Sequence, residues 1–225
     1  DAGQRVAELG GQLGHLVGGV GGIVSTVVEE PAYVVRLEHL QQAELIAFDT
    51  ETTSVDAQQA QIVGVSFAVK AGEAAYVPLT HSYMGVPTQL ERDTVLKALK
   101  PLLEDPHKAK VGQHAKYDIN VLANCALDGD PSNGINVQGV AFDSMLESYV
   151  LDSTATRHNM DALALKYLDY STIAFEDIAG KGAKQLTFDQ IALELAGPYA
   201  AEEADITLRL HQALWPQLQA IPSLA

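Results

Sequence analysis

Leu45-Ile46-Ala47-Phe48-Asp49-Thr50-Glu51-Thr52 decides how the rest of the chain is read. Its first four residues form an apolar run that reads as a buried strand, and two carboxylates follow at the strand's end, two residues apart. Side chains along a strand alternate faces, so Asp49 and Glu51 point one way and Thr50 the other. Two like charges on one face repel, and a hard divalent cation between them would offset that repulsion. Taken alone, the same pattern is also a solvated strand end flanked by threonines.

Outward from this strand, Gln61 to Val69 and Glu73 to Leu79 are short runs rich in Val, Ile, Phe and Tyr, joined by Lys70-Ala71-Gly72. Together with Glu44 to Asp49 they predict an antiparallel meander of three strands. The period then changes: Leu96, Leu99, Leu102 and Leu103 share one face of a helix expected from Thr88 to Glu104. Lys110-Val111-Gly112 reads as a strand, Lys116 to Ala126 as a helix, Asp128 to Asn136 as a solvent loop and Val137 to Phe142 as another strand. The remainder is expected to be helical in pieces, broken at Gly180 to Gly182 and again at Gly197-Pro198, with Pro198 at the first position of the last helix. Strands first and helices later, mixed around one sheet, predict an α/β or α+β layer structure. By analogy, the order of antiparallel trio, helix, strand, helix and strand resembles that of an α/β, ribonuclease H-like mixed sheet, the trio plus parallel strands flanked by helices.

Residues 1–30 differ from the rest. Seven glycines between Gly10 and Gly22 disfavour a stable helix, so this part is expected to be a linker or a loosely attached extension. The domain proper is expected over 31–220, with 221–225 as a tail.

The formal net charge of −15 argues against indiscriminate electrostatic binding to nucleic acid or to an anionic membrane. A polyanion would need a local site, which cations held by clustered carboxylates could provide. The single cysteine, Cys125, excludes an intrachain disulfide framework and a Cys-rich zinc site and is expected in the core. No run of apolar residues approaches membrane-spanning length, and the start lacks a signal-peptide pattern. His81, His107, His158 and His211 form no metal-binding spacing, and Trp215 is expected in the core at a helix end.

Two further acidic positions stand out. Asp118 follows a strand at a helix entrance, where the helix dipole alone would favour it. Tyr199 and Glu203 are four apart and share a helix face, whereas Asp205 should point elsewhere.

Four motifs in order, Phe48-Asp49-Thr50-Glu51-Thr52, Val111 to Asp118, Ala141 to Tyr149 and Tyr199 to Asp205, resemble the proofreading domain of bacterial DNA polymerase I. Ile178 to Gly182 and Gln185 to Phe188 belong to the same likeness, which runs from about Ala32 to Leu218. The resemblance implies a ribonuclease H-like fold and a metal-dependent 3′-to-5′ exodeoxyribonuclease of the Asp-Glu-Asp-Asp superfamily, tyrosine branch. It implies that Asp49, Glu51, Asp118 and Glu203 hold two Mg²⁺ ions, for which Mn²⁺ or Zn²⁺ can substitute, and that Tyr199 orients the attacking water. Val55, Gln113, His114, Arg157 and Phe175 fall on DNA-contacting positions, Phe175 by stacking on a terminal base. From the residues alone Val55 and Phe175 would be core and Arg157 a solvated charge. The implied partners are the 3′ end of single-stranded DNA and a family A polymerase domain in the same natural chain. The implied state is a monomer in the bacterial cytoplasm, at the nucleoid and off the membrane.

Two positions depart from the family pattern: Glu203 stands for aspartate and His114 for the usual asparagine. Glutamate keeps the charge but adds a methylene, moving an oxygen by roughly an ångström, so restoring aspartate is expected to raise activity. Two other readings therefore remain beside an active exonuclease. One is a degenerate domain serving as a structural module or single-strand binder, and the other an exoribonuclease of the same superfamily.

Overall fold

The computed structural model describes residues 15–17, 24–27, 32–154 and 156–223. Its strands are β1 (His15–Val17), β2 (Val24–Val27), β3 (Leu45–Thr52), β4 (Ile62–Lys70), β5 (Glu73–Pro78), β6 (Ala109–Gly112) and β7 (Val140–Asp143). The helices are α1 (Ala32–Gln42), α2 (Arg92–Leu103), α3 (Lys116–Ala123), α4 (Ser144–Leu151), α5 (Met160–Leu168), α6 (Phe175–Ala179) and α7 (Leu193–Gln219). The strands join in one sheet of order β1-β2-β5-β4-β3-β6-β7. β3, β4 and β5 form the expected antiparallel trio, and β6 and β7 add in parallel on the far side of β3. The fold is an α/β, ribonuclease H-like mixed sheet flanked by helices.

Alternation along β3 sorts the two layers. Phe48 faces a core shared with Val65, Phe67, Leu96, Leu99 and Leu122, under α2 and α3. Ala47 faces the other side, where Ala68, Ala74, Val111, Ala201, Ala204 and Leu208 form a second cluster. The small side chains of that cluster let α7 approach the sheet closely. Asp49 and Glu51 share the parity of Ala47 and so open toward α7.

Several boundaries differ from the sequence expectations, each for a local reason. Within the 1–30 extension, β1 pairs with β2 and β2 pairs in parallel with β5, so these strands join the sheet edge where a linker was expected. The other residues of that extension, and 224–225 of the tail, lie outside the described residues. α2 begins at Arg92, not Thr88, because the Glu91 carboxylate caps it, accepting from Asp93 N (3.0 Å) and Thr94 N (2.6 Å). α3 stops at Ala123, ahead of Ala126, which adopts positive φ (47°). β7 begins at Val140 because Gly139 turns the chain at φ 69°, and a Cβ there would lie 2.5 Å from the Lys108 carbonyl oxygen. The expected break at Gly197-Pro198 is absent: α7 starts at Leu193 and runs through both residues, leaving Pro198 inside the helix. Leu193, Ala196 and Ala200 are packed into the cluster around Tyr76 and Phe188, and this tertiary burial outweighs the local helix-breaking preference.

Candidate active site

Three elements bring the acidic residues together. Asp49 and Glu51 end β3, where the pairing with β4 shifts register between Glu51 and Thr52. α7 lies across their face and presents Tyr199 and Glu203. α3 comes from the opposite side, and Asp118 Oδ1 accepts from both Thr50 N (3.0 Å) and Thr50 Oγ1 (2.5 Å). Thr50, which points away from Asp49 and Glu51, is thus the residue that holds Asp118 at the strand end.

Asp143 sets the start of α3. Its carboxylate accepts from His114 N (3.2 Å) and Ala115 N (2.9 Å), and from Met145 N (3.0 Å) and Leu146 N (3.1 Å) at the start of α4. One side chain therefore ties two helix N-termini together. His114 sits at the turn with φ 59°, a left-handed conformation that asparagine and histidine both tolerate better than most residues. Backbone shape accounts for His114 in a position where asparagine was expected; its side chain is exposed at the cleft.

These residues line one open cleft of about 540 Å³. Asp49, Glu51, Asp118 and Glu203 all border it, and among the described residues no lysine or arginine does. Burial pushes the Asp49 carboxyl up to about 6, opposed by a hydrogen bond from the Thr50 backbone. Burial raises Glu51, Asp118 and Glu203 well above the usual carboxylate range, and the charge of Asp49 adds to each. Asp49 is the common neighbour of the other three. Tyr199 is also raised well above the phenol range, by burial first and then by the charges of Glu203, Glu51 and Asp49, and it donates to Glu203.

The donor set fits hard divalent cations. Among the described residues these carboxylate oxygens have no lysine or arginine beside them in the cleft, and Glu51 Oε1 is buried with no hydrogen-bond partner. Among the described residues no three His, Cys, Asp or Glu side chains form a preassembled metal cage. Asp118 and Glu203 are instead engaged by Thr50 and Tyr199, so cation binding would draw the carboxylates inward.

The other wall is apolar. Phe175 is half-buried at the cleft, stacked on Phe188 (centroids 6.4 Å, planes 12° apart) and edge-on to Tyr199 (5.9 Å, 62°). Val55 also lines the cleft but is 97% exposed, which overturns the core reading of this residue. Gln113 borders the cleft and donates from Nε2 to the His158 carbonyl (3.0 Å). Arg157, next to His158, is exposed and does not line the cleft. Cys125 is buried as expected, and Asp205 turns away to accept from Gly72 N (2.6 Å).

Some contributors had no role assigned from sequence. Asp143 was legible in principle, being an N-cap residue before an apolar run. Tyr117, whose hydroxyl donates to the Ser54 carbonyl and lies 2.5 Å from Thr52 Oγ1, props the loop bearing Val55. Leu186 and Phe188 carry no signal that separates a cleft wall from a core. Tyr76, fully buried behind Glu51, donates to His81 Nε2 (2.8 Å), while His81 Nδ1 donates to the Ile191 carbonyl (3.1 Å).

A mixed sheet whose central strand ends in carboxylates, met by acidic residues from helices on both faces, defines a ribonuclease H-like nuclease fold. The chain belongs to the 3′-5′ exonuclease family, whose model matches residues 26–219. It is similar to DNA polymerase I of Pseudomonas aeruginosa, 75% identical over 199 residues, which covers 88% of this chain and 21% of that one. The chain spans about a fifth of the length of the curated relatives it matches. Among solved structures it is similar to RNase D of Trypanosoma brucei (TM-score 0.62, 17% identity, 81% of this chain and 61% of that one). It is also similar to NrnC of Brucella melitensis with bound Mg²⁺ (TM-score 0.55, 21% identity, 80% of this chain and 75% of that one). At these identities the structural likeness is one of fold. Among the described residues no helix is long and apolar enough to cross a membrane.

Proposed function

We propose that this chain removes nucleotides from the 3′ end of single-stranded or frayed DNA, as the proofreading part of a longer family A DNA polymerase acting on the bacterial chromosome. The observation that carries the reading is the grouping of four carboxylates and Tyr199 on one cleft that no lysine or arginine borders among the described residues. Asp49, Glu51, Asp118 and Glu203 are the assigned ligands of two divalent cations, Mg²⁺ in the first place and Mn²⁺ or Zn²⁺ as substitutes. Asp49 is assigned to both, since its charge bears on each of the others. The Mg²⁺ bound in the similar NrnC structure is in keeping with a divalent-metal requirement. Such ions, when bound, would activate a water and neutralise the leaving 3′ oxygen.

The protein's own groups orient and discriminate. Tyr199, held protonated by burial and by nearby carboxylates, is a hydrogen-bond donor and not a base, so its role is to orient the attacking water. Phe175, Val55 and Leu186 offer apolar surface on which any base can pack, which suits a substrate of unspecified sequence. Gln113, His114 and Arg157 are assigned to the sugar-phosphate backbone of the strand. Retention of all four carboxylates favours an active enzyme over a degenerate module.

The test is hydrolysis of 5′-labelled single-stranded DNA and RNA with Mg²⁺, with Mn²⁺ and with EDTA. Stepwise loss of 3′ nucleotides from DNA that EDTA stops is the expected result. Preference for RNA would reassign the substrate, and no hydrolysis with either metal would favour the degenerate module.

A further inference from the structure

Glu202 stands beside Glu203 in sequence but about 100° round α7 from it, and it faces away from the cleft. It is 2% exposed, and both of its carboxylate oxygens are engaged: Oε1 accepts from Tyr170 Oη (2.7 Å) and Oε2 from Ile173 N (2.6 Å). Those partners lie in the segment 169–174 between α5 and α6, directly before Phe175. A carboxylate so fully buried is costly unless its oxygens are engaged. An apolar residue would fill the same space without that cost but would leave Ile173 N and Tyr170 Oη without this acceptor.

We propose that Glu202 is a positioning residue for the 3′-terminal base: its carboxylate locks the segment that carries Phe175 onto the helix that carries Tyr199 and Glu203. The two ends of the cleft then move as one body. α6 is only five residues long; Tyr170 and Phe175 also touch α7 through Arg209 (5.1 Å to the Tyr170 ring) and Tyr199 (5.9 Å), but among the described hydrogen bonds Glu202 joins this segment to α7 through both a backbone and a side-chain donor. Thr172 Oγ1, donating to Asp161 Oδ1 (2.7 Å), fastens the same segment to α5 but not to α7. Adjacent glutamates thus divide the work, Glu203 facing the reacting phosphate and Glu202 holding the base wall. This rests on the exonuclease reading above.

The test uses Glu202→Gln, whose amide keeps one acceptor in place of two, and Tyr170→Phe, which removes one donor without touching α7. An oligonucleotide with 2-aminopurine at its 3′ terminus reports stacking by fluorescence in Ca²⁺, and Mg²⁺ then gives turnover. Methyl p-nitrophenyl phosphate, a phosphodiester with no base, reports the chemistry without demanding the wall. For Glu202→Gln, loss of the stacking signal and a KM for the oligonucleotide raised about tenfold, the worth of one charge-assisted hydrogen bond, are expected. kcat and ester hydrolysis should stay within about twofold. Tyr170→Phe should give a smaller change of the same kind. Unchanged stacking and KM, or an equal loss on both substrates, would overturn the proposal. Because stacking is read in Ca²⁺, it is decided even if the unaltered protein fails to hydrolyse DNA, which would refute the exonuclease reading separately.

Discussion

Replacing Asp49 by asparagine should stabilise the metal-free protein while ending its activity. The side chains are nearly isosteric, and the amide oxygen can keep the contact with the Thr50 backbone. The carboxyl is raised from 3.8 to about 6, so at pH 8 its ionisation costs the folded state about 3 kcal/mol, at 1.36 kcal/mol per unit. The sign follows from proton binding. Between the two values the folded protein holds the proton and the unfolded chain does not, so stability falls as pH rises through this window. Below about pH 4 the cost is absent, and above about 6 it is complete. In a domain of this size each kcal/mol moves Tm by about 2–4 °C, so Asp49→Asn should melt about 6–12 °C higher at pH 8 in EDTA. The gain should shrink toward zero near pH 4. Mg²⁺ should raise the Tm of the unaltered protein at pH 8 and leave that of Asp49→Asn nearly unchanged. Hydrolysis by Asp49→Asn should fall to background. Calorimetry across pH 4–8, with and without metal, checks all of this. A variant that melts at or below the parent at pH 8 in EDTA, or one that still hydrolyses DNA, would refute the assignment of Asp49 to a crowded cation site.

Phe175→Ala should weaken single-strand binding by about 1–3 kcal/mol in a fluorescence titration. Because Phe175 is only half-buried, its stability loss should stay below the roughly 3–5 kcal/mol of a fully buried phenylalanine, and a larger loss with unchanged affinity would make it core. Glu203→Asp should raise Mg²⁺-dependent activity about tenfold, since the extra methylene of glutamate displaces an oxygen from the place an aspartate would give it. Unchanged or lower activity would show that α7 is already placed to suit glutamate. Gly64→Ala should destabilise by about 1–3 kcal/mol in urea unfolding. Its Cβ would lie 2.3 Å from Tyr76 Oη, whose hydroxyl is bonded to the buried His81, and an unchanged midpoint would show that the ring can yield.

The antiparallel trio and the strands that follow it were legible because burial and pleating are local: Leu45 to Phe48 had to be inside, and parity alone put Asp49 and Glu51 on one face. The four-residue spacing of Tyr199 and Glu203 likewise put both on one side of a helix before any packing was known. Asp118 was recognised by its motif, but nothing in the sequence around it says that Thr50, 68 residues earlier, receives it. The run of α7 through Gly197-Pro198 was hidden for a similar reason: local preference says break, and only the burial of Leu193 and Ala196 against β4 and β5 neighbours says continue. Val55 and Phe175 show the limit most clearly. An apolar side chain reads the same whether it faces a core or a cleft, because the hydrophobic effect is indifferent to which surface covers it. The chain's own letters determined which residues could do this chemistry; long-range packing alone decided that they stand around one cleft.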